Sequence, residues 1–320
     1  MISKVIAVAL LCFIAPISHA QNYPTDTVKI VVPYSPGGSV DTVAREMGNI
    51  LGKQLKQSVI IENKPGASAN IGAAHVAKSA PDGHTLLMSA ATTLAAAPSI
   101  FKNLTYDPLV DLVPIVLVAY QPNILVVNKN VPAQSVDEFI ALAKSSPTPL
   151  NLGIAAVGGP AHMAGELFMT MTGTKFNVIP YKGGNDAVMD LLGGRVDAIF
   201  APFPEAIQHV KADKLRALAV TSKNRTDLLP NTPSLHELGL KDYELVGWMA
   251  LAAPKGTSEK TILLLNDAVE QALKKNDLKQ RLNNLGLEPA GGSVAELKTF
   301  LDREVKKYRQ LVEASGIQPL

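Results

Sequence analysis

The sequence predicts an α/β protein of two lobes joined by two extended crossing segments. Three observations carry that prediction. Short apolar β-rich runs alternate with amphipathic helical patterns almost throughout the 320 residues, as helices layered on mainly parallel sheets require. Two distant stretches, VKIVVPYSPGGSVDTVAREMG (residues 28–48) and NLGIAAVGGPAHMAGELFMTM (residues 151–171), repeat one device: apolar strand, Gly-Gly turn, amphipathic helix. Two further runs, VLVAYQPNILVV (residues 116–127) and YELVGWMALAAP (residues 243–254), are apolar and long for simple strands. Each reads as the chain crossing between lobes. On that reading residues 22–121 and 246–320 form one lobe and 122–245 the other. Two connecting segments make a hinge that can close around a ligand.

The elements follow in order. Lys4 supplies a positive start, residues 5–17 an apolar stretch, and Ser18-His19-Ala20 a small-x-small cleavage site, so residues 1–20 read as a signal peptide. About 13 apolar residues are too few to span a bilayer core of roughly 30 Å. Residues 28–33 then read as a strand, 41–51 as a helix, 58–63 as a strand, 70–78 as a helix and 85–89 as a strand. Pro65-Gly66 and Pro81-Asp82-Gly83 mark turns between them. The second series opens with a strand at 124–128 and a helix whose start, Ser135-Val136-Asp137-Glu138, is a capping box. A strand at Leu152, a helix from Ala161, and segments 176–181, 187–192, 198–200 and 215–221 continue the alternation. Ser258-Glu259-Lys260-Thr261 opens a helical tail with an acid in its first turn. In residues 294–315 Leu297, Phe300, Leu301, Val305, Tyr308, Leu311 and Val312 share one face opposite charges of both signs, which predicts a packed terminal helix.

Composition excludes several classes. The single cysteine, Cys12, lies inside the signal segment, so the exported chain has no disulfide, thiolate metal site or cysteine nucleophile. A net charge of +2 gives no support for nucleic acid or an acidic membrane as partner. Some 300 remaining residues suggest two domains, each able to build its own core. H-E-x-x-H, G-x-S-x-G and G-x-x-x-x-G-K-[ST] are absent, and His75, His84, His209 and His236 lack metal-ligand spacing. No cofactor or metal is expected. A serine-type hydrolase built on Ser39 is the runner-up, although Gly37-Gly38-Ser39-Val40-Asp41 lacks the second elbow glycine.

The chemistry is expected at the paired turns. Aligned on their glycines, Gly37-Gly38-x-x-Asp41 matches Gly158-Gly159-x-x-His162. Paired glycines allow positive φ and bring a ligand close to bare main chain, and the helix start beyond offers unpaired N–H groups to an anion. Asp41 is expected to brace its loop, and His162 to donate a hydrogen bond to ligand or bound water. Ser89 and Thr92 lie at the carboxyl end of a strand, where open α/β sheets bind ligands. Tyr181 and Lys182 follow another strand. Tyr181 reads either as a cleft residue or as packed on the next helix, and Lys182 as lying beside the cleft or at its rim.

The chain resembles the periplasmic solute receptors of tripartite tricarboxylate transporters, the Bug/TctC family. The resemblance rests on VVPYSPGGSVDTVAR, VIIENKPGASANIGAAHVAKSAPDGHTLL, YDPLVDLVPI, GGPAHMAGELF, IPYKGGNDAVMDLLGGRVDAIF, KLRALAVTS, LPNTPSLHELGL and LGLEPAGGSVAELKTFL, in family order across nearly the whole exported chain. It implies a two-lobed periplasmic-binding-protein (Venus flytrap) fold that pins a ligand carboxylate between two loops through main-chain groups and waters. Those loops fall on residues 35–41 and 157–162, which adds Ser35, Pro36 and Val157 to the glycines already named, with Tyr34 just before the first loop also expected at the site. The family usually has an acid after the strand at 198–200, whereas this chain reads Ala201-Pro202-Phe203-Pro204. That departure argues against an ammonium-bearing ligand. It leaves Phe203, with Trp248 on the second crossing, as an apolar wall; Trp248 reads equally as hinge packing. The resemblance thus implies a monomeric periplasmic receptor for a small organic carboxylate, without a catalytic step. Its partners would be membrane transporter subunits or a sensor protein.

Overall fold

In the computed structural model, which describes residues 23–155, 158–181 and 183–315, the chain forms two mixed sheets flanked by helices. The signal segment lies outside the described residues. The first sheet is built from β1 (Val28–Val32), β2 (Val59–Asn63), β3 (Thr85–Ala90), β4 (Leu112–Gln121), β10 (Gly247–Pro254) and β11 (Glu288–Pro289), in the order β11-β4-β10-β3-β1-β2. The second contains β5 (Asn123–Asn128), β6 (Asn151–Ala155), β7 (Asn177–Tyr181), β8 (Ala198–Pro202) and β9 (Leu215–Val220), in the order β7-β6-β8-β5-β9. Both sheets follow one plan. β2-β1-β3 and β7-β6-β8 run parallel, and an antiparallel strand then joins them to a fourth. That antiparallel strand is β10 in the first sheet and β5 in the second, each beside a crossing between sheets.

The crossings are short and tied together. β4 ends at Gln121 in one sheet and β5 starts at Asn123 in the other. Asn123 Nδ2 donates to the Leu245 carbonyl at 3.4 Å, Leu245 N–H to Thr221 O at 3.0 Å, and Thr221 N–H back to Asn123 O at 3.0 Å. These bonds join the two crossings directly to each other.

Helices fill the faces: α1 (Ser39–Leu55), α2 (Asn70–Ala77), α3 (Ala97–Ile100), α4 (Val136–Ser145), α5 (Pro160–Thr172), α6 (Gly184–Leu192), α7 (Phe203–Lys211), α8 (Glu259–Leu273), α9 (Asn276–Asn284) and α10 (Val294–Ser315). Ser135 Oγ accepts the Glu138 N–H at 3.2 Å while Glu138 reaches back to the Gln134 N–H at 2.6 Å, so the capping box forms one residue out of its usual register. Thr92–Ala96 is a π-helical turn leading into α3, an element that the alanine-rich, pattern-free run TTLAAAP does not announce.

The core departs from two separate cores. The outer face of each sheet has its own apolar cluster, with Ile30, Met47 and Leu265 in the first and Ile124, Val188 and Ile207 in the second. Between them a third cluster runs through both, from Leu87 through Phe139, Phe168 and Phe200 to Trp248, Leu301 and Tyr308. α10 makes this continuity possible, since its apolar face packs on β4, the π-helical turn and α5 together. The terminal helix is a strap across the hinge as well as a lid on one sheet.

Candidate functional site

A cavity of about 260 Å³ lies where the two sheets face each other, at the carboxyl ends of their parallel strands. Its size sits just below the roughly 300–1,000 Å³ of typical small-molecule sites. Four helices begin on it: α1 at Gly38, α5 at Gly159, α6 at Gly183 and α7 at Pro202. None of the four is capped by the side chain of its N-cap residue. Their positive ends converge on one space, a setting for an anion, although at α7 the Phe203 N–H is taken by the Pro122 carbonyl at 3.0 Å and Pro204 has no N–H.

The two glycine turns are near copies in space. Gly37 and Gly158 have φ of 85° and 79°, left-handed values that favour glycine. Gly38 and Gly159 then open their helices at φ −73° in both cases, with ψ of 169° and 167°. Each turn is locked by the side chain four residues after its first glycine. Asp41 Oδ2 accepts the Gly37 N–H at 2.9 Å, and His162 Nδ1 accepts the Gly158 N–H at 2.8 Å. Asp41 also takes hydrogen bonds from Arg45 at 3.0 Å and from Asn63 at 2.9 Å. Burial raises the Asp41 pKa, but the Arg45, Gly37 and Asn63 hydrogen bonds outweigh it and hold the carboxyl below its ordinary value.

His162 therefore differs from the expected ligand donor. One ring nitrogen accepts from Gly158, the other lies 3.3 Å from Glu166 Oε1, and the side chain is buried. It braces a loop as Asp41 does.

Of the residues expected at the site, Tyr34, Gly38, Thr92, Gly159 and Trp248 border the cavity. Gly37 borders a neighbouring cavity of about 270 Å³ that shares Gly38, Ser39, Gln121 and Glu205 with the first. Ser35 and Pro36 are exposed on the turn and Gly158 is buried behind it. Ser89 is buried inside β3 opposite Ala250, so Ala90 and Thr92 present that strand end to the cavity instead. Tyr181 turns along its own lobe and donates to Asp190 Oδ2 at 2.8 Å, the packed alternative. Phe203 forms no wall of the cleft. It is the first residue of α7, is 1% exposed and packs in the outer core of its sheet. Ala201 packs in that same core. Val157 and Lys182 lie outside the described residues.

Trp248 combines both of its readings. The residue borders the cavity, yet it is 1% exposed and donates its Nε1–H to Glu304 Oε2 at 3.1 Å. The indole N–H is thus unavailable to a ligand. Trp248→Phe is expected to change affinity less than about 5-fold while costing about 1–3 kcal/mol of stability, because it strips Glu304 of its donor. Paired calorimetry and denaturant melts check this. A tenfold affinity loss at unchanged stability would show that the indole itself holds ligand.

Sequence reasoning missed Gln121, Asn123, Gly184, Gly247 and Glu205, all on the cavity wall. Gln121 and Asn123 left a trace as the polar interruption QPN in an otherwise apolar crossing. Glu205 left none, because α7 itself went unread.

Residues 43–317 match the family described as the tripartite tricarboxylate transporter family receptor. The chain belongs to that family. Members of this receptor family bind solutes rather than transform them. The chain is 37% identical to BugT of Bordetella pertussis over 303 residues, 94% of this chain and 93% of that one. It superposes on Rpa4515 of R. palustris with adipate at a TM-score of 0.84 and 34% identity, covering 93% of this chain and all of that one. MatC of Rhodopseudomonas palustris with bound malate gives 0.78 and 31%, covering 91% and 100%. The periplasmic binding protein BugD gives 0.79 and 31%, covering 93% and 100%. In this receptor, no helix among the described residues is long and apolar enough to cross a membrane.

One contact between the lobes of the receptor is made by bare glycine. A Cβ on Gly158 would overlap Ile100 of α3, and its φ of 79° already disfavours any side chain. Gly158→Ala is therefore expected to weaken closure, lowering ligand affinity about tenfold. Small-angle scattering of the liganded variant should show a larger particle than wild type. Equal compaction and equal affinity would show that this contact does not govern closure.

Proposed function

We propose that this chain is an exported receptor that clamps one small organic carboxylate between its lobes and offers the closed form to membrane transporter subunits. The observation that supports it most is the convergence of four helix N-termini on one interlobe cavity, none capped by the side chain of its N-cap residue. Main-chain donors suffice there, because hydrogen bonds to an ionised group are roughly twice as strong as neutral ones. The adipate and malate seen with two relatives are both carboxylates and point the same way. In this reading residues 22–121 with 246–320 form one lobe and 122–245 the other, and residues 1–20 direct the chain to the periplasm. The clamp holds its ligand without chemical change. Native mass spectrometry of protein from rich medium, followed by a thermal-shift screen of carboxylic acids, tests this. A bound acid recovered unchanged is the expected result. Ester or amide hydrolysis abolished by Ser39→Ala would overturn it.

A further inference from the structure

Glu205 is the one acidic side chain, among the described residues, that borders the interlobe cavity, and it borders the neighbouring cavity too. It stands at the third position of α7 in one lobe, yet shares both cavities with Gly38 and Ser39 of the other. Its Oε2 is buried and has no hydrogen-bond partner. The carboxylate rests on the bare Cα of Gly184, where any side chain would displace it. Among the described residues, no Lys or Arg lines either cavity. Burial pushes the Glu205 carboxyl up to about 7, and no charge among the described residues contributes.

Among the described residues, most nearby charges are committed elsewhere. Across the cavity on α1, Asp41 pairs with Arg45 and Glu46 with Arg281. On α6 Asp190 pairs with Arg195, and Asp186 lies in the first turn. β5 and β8, which pack against α7, carry no charge. Arg216 of β9 donates to the Val131 and Ala133 carbonyls. His209 and Lys211 are at the opposite end of α7.

A lone buried carboxylate is costly until something pairs with it. A ligand carboxylate held at the glycine turns would add a second negative charge to the same closed space. A cation on the ligand removes both problems. We propose that Glu205 selects a carboxylate that also carries a protonated amine, with the carboxylate at the helix starts and the ammonium on Glu205. This rests on the carboxylate reading above and narrows it. It also replaces the expectation drawn from Ala201: the acid that position lacks at the end of β8 is supplied by Glu205 in the first turn of α7.

Titration calorimetry with matched straight-chain acids of three to eight carbons tests the proposal. Each length is represented by the plain acid, the diacid and the ω-amino acid, for example hexanoate, adipate and 6-aminohexanoate. At pH 8 the amino acid of the best length should bind at least tenfold tighter than its plain and diacid counterparts. Its advantage should shrink at pH 5.5, where Glu205 is protonated while the ligand keeps its charges. Glu205→Gln, nearly isosteric, should cost the amino acid tenfold or more and leave the plain acid unchanged.

A diacid that binds best, and gains on acidification, would make Glu205 a donor to a second carboxylate and overturn the proposal. So would undiminished amino-acid binding in Glu205→Gln. Binding of plain acids and diacids with no preference for amines overturns this inference alone. Failure of every acid to bind overturns the carboxylate reading and this inference with it.

Discussion

Replacing Gly38 with valine is expected to weaken carboxylate binding ~100-fold or more while leaving the fold intact. The position separates the two effects cleanly. Gly38 has φ −73°, an ordinary value for any residue, and a Cβ there would meet only the Ser35 carbonyl, at 3.7 Å. The cost to the fold is limited to a poorer N-cap for α1, since valine is less favourable there than glycine. The added methyls, however, would stand over the first-turn N–H groups of α1, at the wall of the cavity. Losing hydrogen bonds to an ionised group costs about 1.5–3 kcal/mol each, so two of them account for a hundredfold or more. Calorimetry with the tightest acid from the thermal-shift screen measures the loss, and the melting temperature of the empty variant shows whether it folds. Wild-type affinity in a folded Gly38→Val protein would remove the turn from the binding site.

Glu304→Ala is expected to give the largest stability loss, about 2–4 kcal/mol. Glu304 is 2% exposed on α10, with Oε2 accepting the Trp248 indole and Oε1 2.7 Å from the Lys307 ammonium as an ion pair. Its removal leaves the Trp248 N–H buried without a partner, a cost of about 1–3 kcal/mol, and opens a void beside it. Lys307 is partly exposed and regains water, which keeps the total below that of a fully buried broken pair. At about 2–4 °C per kcal/mol, the melting temperature should fall roughly 5–15 °C. Glu304→Gln keeps an acceptor for the indole and should lose less than half as much. A change under about 0.5 kcal/mol in Glu304→Ala would mean that α10 is not anchored through Trp248.

Much of this architecture is legible in the sequence because it rests on local signals. The terminal helix starts at Val294 and buries the apolar face read for it, since a long amphipathic stripe admits only one placement. The repeated Gly-Gly device points to two turns on one cavity because glycine pairs between a strand and a helix constrain the backbone directly. What stays hidden is side-chain direction. His162 occupies the register of Asp41, and no pattern tells whether its ring faces a ligand or its own loop. Phe203 falls at the first position of a helix opening Pro202-Phe203-Pro204-Glu205, where two prolines obscure the period; the helix turns the ring into the core and brings Glu205 to the cavity. The shared inner core is equally invisible, since it joins apolar faces more than a hundred residues apart.

The exchange of crossing strands also sets the order in which this chain can acquire its structure. Without β10, β4 has no link to β3, so the first sheet stays in two pieces until residues 247–254 arrive. All five strands of the second sheet precede β10 in the chain. In a chain folding from its amino terminus, that sheet assembles first. Left to chance, bringing β10 back to β4 would mean closing a loop of roughly 120 residues, at an entropic cost of about 4 kcal/mol. The finished second sheet has already met that cost. The bonds joining Asn123, Thr221 and Leu245 hold the two ends of the intervening chain side by side, with Gly247 delivered into register with Gln121. The later half of the first sheet is thus templated by the earlier completion of the second.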